Sequence, residues 1–334
     1  MSAAVTSVAS ASMKAYRIER PTALGELRPS EIAMPLVPDD GVLIRVHASS
    51  ANPVDLFPTT LAGYLVGGRK PVVLGTDFAG VVESVGSSVT SFRPGDEVFG
   101  GARGAFADYM CVSELKGIAL KPASVTFEHA GVVAVAGCTA LQALRDHGRL
   151  QRGQRVLING ASGGVGTFAV QIARALGAHV TAVCSTRNME MVESLGADVV
   201  VDYSKSDFTG LGEQYDLVVD IAGSHSFGRC RRVLAPGGTY VGTGAAAIQH
   251  GAGGGLRIIG HLLGTRVTSI VGSQRVVTLF IASLTKESME FLAELMPDGR
   301  VTPMIDRRYS FDEVPQALEY MNEGHARAKV AIAV

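Results

Sequence analysis

Charge of one sign never accumulates in this chain: no run of five or more Lys and Arg occurs, and the formal net charge is −1. The chain as a whole has no net attraction to phosphate backbones or anionic lipid, so no nucleic-acid partner is expected. Long apolar runs are also missing. The longest uncharged stretches, such as 156–173, are broken by Asn, Ser and clustered Gly, and they read as buried strands and turns with no membrane span. Cysteine is scarce: Cys111, Cys138, Cys184 and Cys230 lie far apart with no Cys-x-x-Cys pair among them. That spacing argues against a disulfide framework and a structural zinc knuckle, and it suits a reducing, cytoplasmic setting. Residues 1–12 lack the basic start and long apolar centre of a secretory signal, and their Ala/Ser composition reads as a disordered tail.

What is present is core-forming material. The 334 residues are 47% hydrophobic and 18% charged, with 40 glycines, which indicates a folded chain large enough for two domains. From 13 to 131 the pattern is β-like, with short alternating runs ("VLIRVHA", "GVVESVG") between Pro and Gly punctuation. From 132 to 272 fully apolar short strands ("RVLIN", "HVTAVC", "DVVVDY", "YDLVVDIAG") alternate with helical patterns. Strands buried on both faces and joined by helices predict an α/β fold with a doubly wound parallel sheet of the Rossmann type. After "RVLIN", Val165, Phe168, Ala169, Ile172, Ala173 and Leu176 fall on one helical stripe that Gly177 stops; the next helix has Asn188 as N-cap and Gly196 as its stop. The remainder, 273–334, holds the strand "RVVTLF", two helices and a closing strand "KVAIAV".

The turn between that first strand and helix is "NGASGGVG". Small residues there let backbone N–H groups and a helix N-terminus approach a pyrophosphate. In the register Ala161-x-Gly163-x-x-Gly166, with Ser162, Gly164 and Val165 between, alanine replaces the first glycine of the dinucleotide fingerprint. Nineteen residues past Gly166, where NAD-binding folds place a carboxylate on the ribose 2′-hydroxyl, stands Ser185, followed by Arg187. A carboxylate would repel a 2′-phosphate; a hydroxyl and a guanidinium would bind it, so the expected cofactor is NADPH. Tyr203, ending the third strand, either lines the adenosine site or serves the strand end alone.

Taken together, "LGTDFAGVVESVG", "FRPGDEVFG", "NGASGGVG", "CSTRN" and "GHARAKV" resemble the zinc-independent quinone oxidoreductases and alkenal reductases of the medium-chain dehydrogenase/reductase superfamily, the ζ-crystallin-like group. The resemblance implies a GroES-like, mainly β catalytic domain made of 13–131 and 273–334, with the Rossmann domain 132–272 inserted. It implies a cleft between the domains and an NADPH hydride delivered to a quinone or to the β-carbon of an α,β-unsaturated carbonyl. It assigns Ser185, Arg187 and Tyr203 to the 2′-phosphate end, Thr139 to the nicotinamide neighbourhood, and Asn52 to the nicotinamide and substrate. Ala328 stands where the family tail commonly has glycine, which weakens the expected C-terminal loop contact to the cofactor.

The zinc-containing alcohol dehydrogenases of the same superfamily need Cys, His and Cys around a catalytic zinc. The corresponding positions here are Asn52, Thr76 and about Val135, so no metal is expected; Cys138 reads as a small buried thiol. Without a Lewis acid, quinones and enones are the acceptors that need least help, because conjugation spreads the incoming charge. Tyr64, the only tyrosine of the individual segment between Asn52 and Gly75, is a candidate proton donor; water or a cofactor ribose hydroxyl are the alternatives. Asp77 reads as a member of a structural ion pair. None of the eight tyrosines has Lys four residues later, which excludes the Tyr-x-x-x-Lys pair of short-chain reductases. The rival to a reductase is an NADPH-binding sensor or structural protein with little turnover. The apolar strand "RVVTLF" is expected to pair with its two-fold mate in a homodimer.

Overall fold

The computed structural model describes residues 12–243, 273–279, 282–324 and 326–334. The expected disordered tail lies outside the described residues except for Ser12, which opens a short strand opposite Ala33. Five main strands come first: β1 (Gly41–Ala51), β2 (Asp77–Val85), β3 (Glu97–Gly101), β4 (Tyr109–Ser113) and β5 (Ile118–Leu120). Six follow: β6 (Arg155–Asn159), β7 (His179–Cys184), β8 (Val199–Asp202), β9 (Tyr215–Asp220), β10 (Leu234–Thr243) and β11 (Arg275–Leu279). The chain ends with β12 (Ile305–Ser310) and β13 (Lys329–Ala333).

The middle group forms one parallel sheet in the order β8-β7-β6-β9-β10-β11. This is the doubly wound arrangement, and its winding reverses between β6 and β9. The other strands form a second sheet, β12-β13-β1-β2-β3-β5, with β4 also paired to β1. β13 runs antiparallel to β1, Val330 opposite Ala51, so the end of the chain completes the sheet built at its start. One boundary of the sequence reading needs correcting. Residues 275–279 pair in parallel with 239–243, so the wound sheet extends through Leu279 and the division at 272/273 falls early. An apolar strand finds its backbone partners on that open edge before the chain returns.

The two layers share a core. Phe99 and Ala119 of the second sheet belong to the same apolar cluster as Ile158, Phe168 and Val219 of the wound sheet. The helix α1 (Ala134–Leu141) joins them, and its small residues permit close approach: a Cβ on Gly137 would lie 2.9 Å from Leu292. The predicted helix after β6 is α2 (Gly164–Ala175), and Gly177 stops it at a φ of +81°, a conformation costly for any residue with a Cβ. Its expected polar side is covered as well. Gln171 is buried because its amide donates to the carbonyl of Thr302 (3.1 Å) and accepts from the N–H of Thr302 (2.8 Å).

Candidate active site

The glycine turn leaves β6 at the carboxyl ends of β6 and β9, the switch point where open α/β sheets bind ligands. Gly166 is needed for packing, since a Cβ there would lie 2.1 Å from the Gly160 carbonyl oxygen. At Gly163 the position of a Cβ is open, with no atom closer than 3.7 Å. The first turn of α2 leaves N–H groups without helical partners, and its positive dipole end faces the same opening. These residues fit a pyrophosphate.

Ser162, Gly163, Gly164, Val165, Ser185, Arg187, Tyr203, Thr139 and Asn52 all line one cleft of about 410 Å3. Three expected site residues do not. Ala161 is fully buried beneath the turn, its N–H bonded to the Val183 carbonyl (3.0 Å), and Gly166 serves helix packing, so both shape the cradle from behind. Tyr64 lines a separate cavity of about 240 Å3 with Ile18, Phe57 and Arg103. The candidate proton donor is thereby corrected to a residue of another cavity.

At the end of the cleft expected from the sequence to take the adenosine, Ser185 and Arg187 follow β7, and Tyr203, 63% exposed, follows β8. Asp202 stands beside them as the carboxylate nearest this edge in sequence. Hydroxyl donation from Thr186 and from Ser204 (2.7 Å) fills its oxygens and holds its carboxyl well below the usual range. Asn188 departs from its expected role. It occupies the N-cap position of the helix Met189–Ser194 without capping it; its amide donates to the hydroxyls of Ser162 (2.9 Å) and Ser185 (3.2 Å). Asn188 thus ties the glycine turn to the end of β7, and its buried Oδ1 has no partner.

The other end of the cleft holds a buried polar network. Asp77, fully buried, accepts from Ser50 Oγ (2.6 Å), from Asn52 Nδ2 (3.1 Å) and from the N–H of Val135 (2.7 Å). Lys329 completes it, with Nζ 3.2 Å from Asp77 Oδ2 and donating to Asn52 Oδ1. Asp77 is the ion-pair member expected from sequence; Lys329 is its unforeseen partner. The Lys329 stem lies over Gly164, where a Cβ would come within 3.1 Å of its Cδ, so one side chain crosses from β13 to the glycine turn. Asn52 lines the cleft, but its amide is fully engaged in holding this network. Thr139 donates to the Val135 carbonyl (2.6 Å), which fixes its hydroxyl on the cleft wall. Cys138 lies 3.7 Å from the Met289 sulfur, and burial pushes its thiol up to about 12, the behaviour of a core residue.

Asp55 accepts from Thr76 Oγ1 (2.6 Å) and from the Asn52 N–H (2.9 Å), yet complete burial pushes its carboxyl up to about 7. A folded-state value above the unfolded one means the native state binds the extra proton, so stability falls as pH rises from about 4 to 7. We expect wild type to lose melting temperature relative to Asp55→Asn across that window; parallel curves would refute the assignment.

The C-terminal loop reaches the turn despite its missing glycine. Ala328 bridges to Gly163 and donates its N–H to the Ser162 carbonyl (2.8 Å), at the expense of a φ of +57°. Relieving that strain with Ala328→Gly should stabilise the protein by about 1 kcal/mol in chemical denaturation; a loss of stability would contradict it.

A Rossmann sheet with a phosphate cradle at its switch point, facing a GroES-like sheet across a cleft, defines the architecture of a dinucleotide-dependent oxidoreductase. The chain belongs to the quinone-oxidoreductase group of the medium-chain dehydrogenase/reductase superfamily. Residues 38–122 match the alcohol dehydrogenase GroES-like domain, and residues 195–332 match the family described as zinc-binding dehydrogenase. The second range contains none of Asn52, Thr76 and Val135. The chain is 34% identical over 328 residues to the mouse mitochondrial NAD(P)H oxidoreductase RTN4IP1, covering 88% of this chain and 81% of that protein. It is 32% identical over 318 residues to the 2-methylene-furan-3-one reductase of Solanum lycopersicum, covering 91% and 74%. The solved quinone oxidoreductase of Coxiella burnetii superposes with a TM-score of 0.82 at 27% identity, over 97% of this chain and all of that one.

Proposed function

We propose that this protein is an NADPH-dependent reductase of quinones or activated alkenes that works without a metal. The observation that carries the reading is the two-ended cleft. One end offers Ser185 and Arg187 where a carboxylate would refuse a 2′-phosphate; the other offers Asn52, Thr76 and Val135, which provide neither thiolate nor imidazole. The names of the tomato and Coxiella relatives support the acceptor class.

When bound, the reduced dinucleotide supplies the hydride. The chain's own residues do the rest. The N-terminus of α2 and its turn hold the pyrophosphate, with the Lys329 stem packed against Gly164. Ser185, Arg187 and Tyr203 hold the 2′-phosphate end. Thr139 and Asn52 border the space left for nicotinamide and acceptor, and the rigid Asp77 network keeps that wall in place. Acceptors whose conjugation disperses negative charge suit a wall without a Lewis acid. We further propose a homodimer through β11, the edge strand of the wound sheet, and a reducing, cytoplasmic setting, supported by four free cysteines.

The test is NADPH consumption, followed by absorbance, with quinones, alkenals and simple ketones after dialysis against a chelator. Turnover confined to quinones or enones is expected. Tight NADPH binding without turnover would favour a sensor, and loss of activity on chelation would refute the metal-free reading.

A further inference from the structure

We propose that residues 57–70 form a docking surface for an anionic lipid bilayer. The helix Leu61–Val66 carries Leu61 and Leu65 on one stripe, 63% and 48% exposed, with Val66 beside them at 78% and Phe57 just before at 38%. Four of the eleven exposed large apolar residues among those described thus fall within ten positions, a concentration that scattered surface leucines do not produce. None of the four lines the 410 Å3 cleft.

Charge identifies the occupant. From 56 to 76 there is no Asp or Glu, while Arg69 and Lys70 follow the helix after Gly67 and Gly68. Arg103 joins Lys70 and Val66 around the second cavity. The neighbouring segment, held by the Thr22 N–H on the Thr59 carbonyl, adds Arg17, Arg20 and Glu19, and Glu19 is paired to Arg17 at 3.2 Å. Five cations against one carboxylate, on a chain of net charge −1, make a local positive field around an apolar ridge. Apolar side chains that enter the acyl boundary, ringed by Arg and Lys for acidic headgroups, are the two ingredients of interfacial binding. A second copy is disfavoured as occupant, because a two-fold contact would set the five cations against themselves.

The surface adjoins the cleft through the helix Pro53–Leu56: Pro53 and Val54 line the cleft, and Phe57 begins the ridge. Resting on the reductase reading, docking deepens it, because a quinone with a long apolar chain would pass from bilayer to cleft across this edge.

The test is co-sedimentation of the full chain with phosphatidylcholine vesicles, with and without phosphatidylglycerol. Wild type should bind the anionic vesicles about tenfold more tightly or better, and salt should weaken binding. The triple variant Leu61→Ser, Leu65→Ser, Val66→Ser and the double variant Arg69→Glu, Lys70→Glu should each lose about tenfold. Both should still reduce a water-soluble quinone while losing rate on a long-chain quinone held in vesicles. Equal binding to both vesicle types, variants that bind like wild type, or a concentration-dependent self-association abolished by the triple variant would overturn the proposal. Wild type that binds vesicles but reduces neither quinone would strike the reductase reading and leave the docking surface standing.

Discussion

Lys329→Met should cost about 3–5 kcal/mol of stability. The ammonium and its partner carboxylate are 4% and 0% exposed, so removing the cation strands a charge that water cannot reach. The remaining bonds to Asp77, from Ser50, Asn52 and the Val135 N–H, come from neutral donors and do not replace a counter-charge. Adding Asp77→Asn to Lys329→Met should restore most of the loss, because no buried charge is then left unpaired. Chemical denaturation of both variants checks this. A double variant as unstable as the single one would mean that the lysine stem over Gly164, and not the ion pair, holds the two sheets together.

Arg187→Glu should weaken NADPH binding about 100-fold and leave NADH within a few-fold of wild type. The expectation follows from position. Arg187 lines the cleft two residues beyond Ser185, and the charge of the nearby Asp202 is offset by the Lys205 ammonium 3.4 Å away. Reversing the charge removes an attraction and adds a repulsion that only a 2′-phosphate feels. Titration by nicotinamide fluorescence measures both constants; equal weakening of the two cofactors would assign Arg187 to loop structure.

The parts of the site that sequence made legible are local ones. "RVLIN", "NGASGGVG" and the stripe from Val165 to Leu176 are contiguous, and a strand, a small-residue turn and a helix dictate one another over that distance. Ser185 and Arg187 could be counted from the turn because a parallel sheet fixes where its second strand ends. What escaped was set by long-range packing. Lys329 lies 277 positions from Asn52, and only the antiparallel return of β13 onto β1 brings them together. An alternating strand "KVAIAV" gives no sign that its lysine points inward. Asn188 has the composition of an N-cap, but its Nδ2 bonds to the two serine hydroxyls orient the side chain so that Oδ1 caps no helix N–H. Tyr64 was placed by its segment, but that segment lines another cavity, and of the helix Pro53–Leu56 before it only Pro53 and Val54 reach the cleft. Net charge likewise hid the basic surface around Lys70, since −1 is a sum over the whole chain.

The most direct measurement is a side-by-side titration of the wild-type protein with NADPH and NADH, each followed by the fluorescence of the reduced nicotinamide. A cleft edged by Ser185 and Arg187 predicts that NADPH binds at least about tenfold more tightly. Equal affinity, or preference for NADH, would contradict the account at its root.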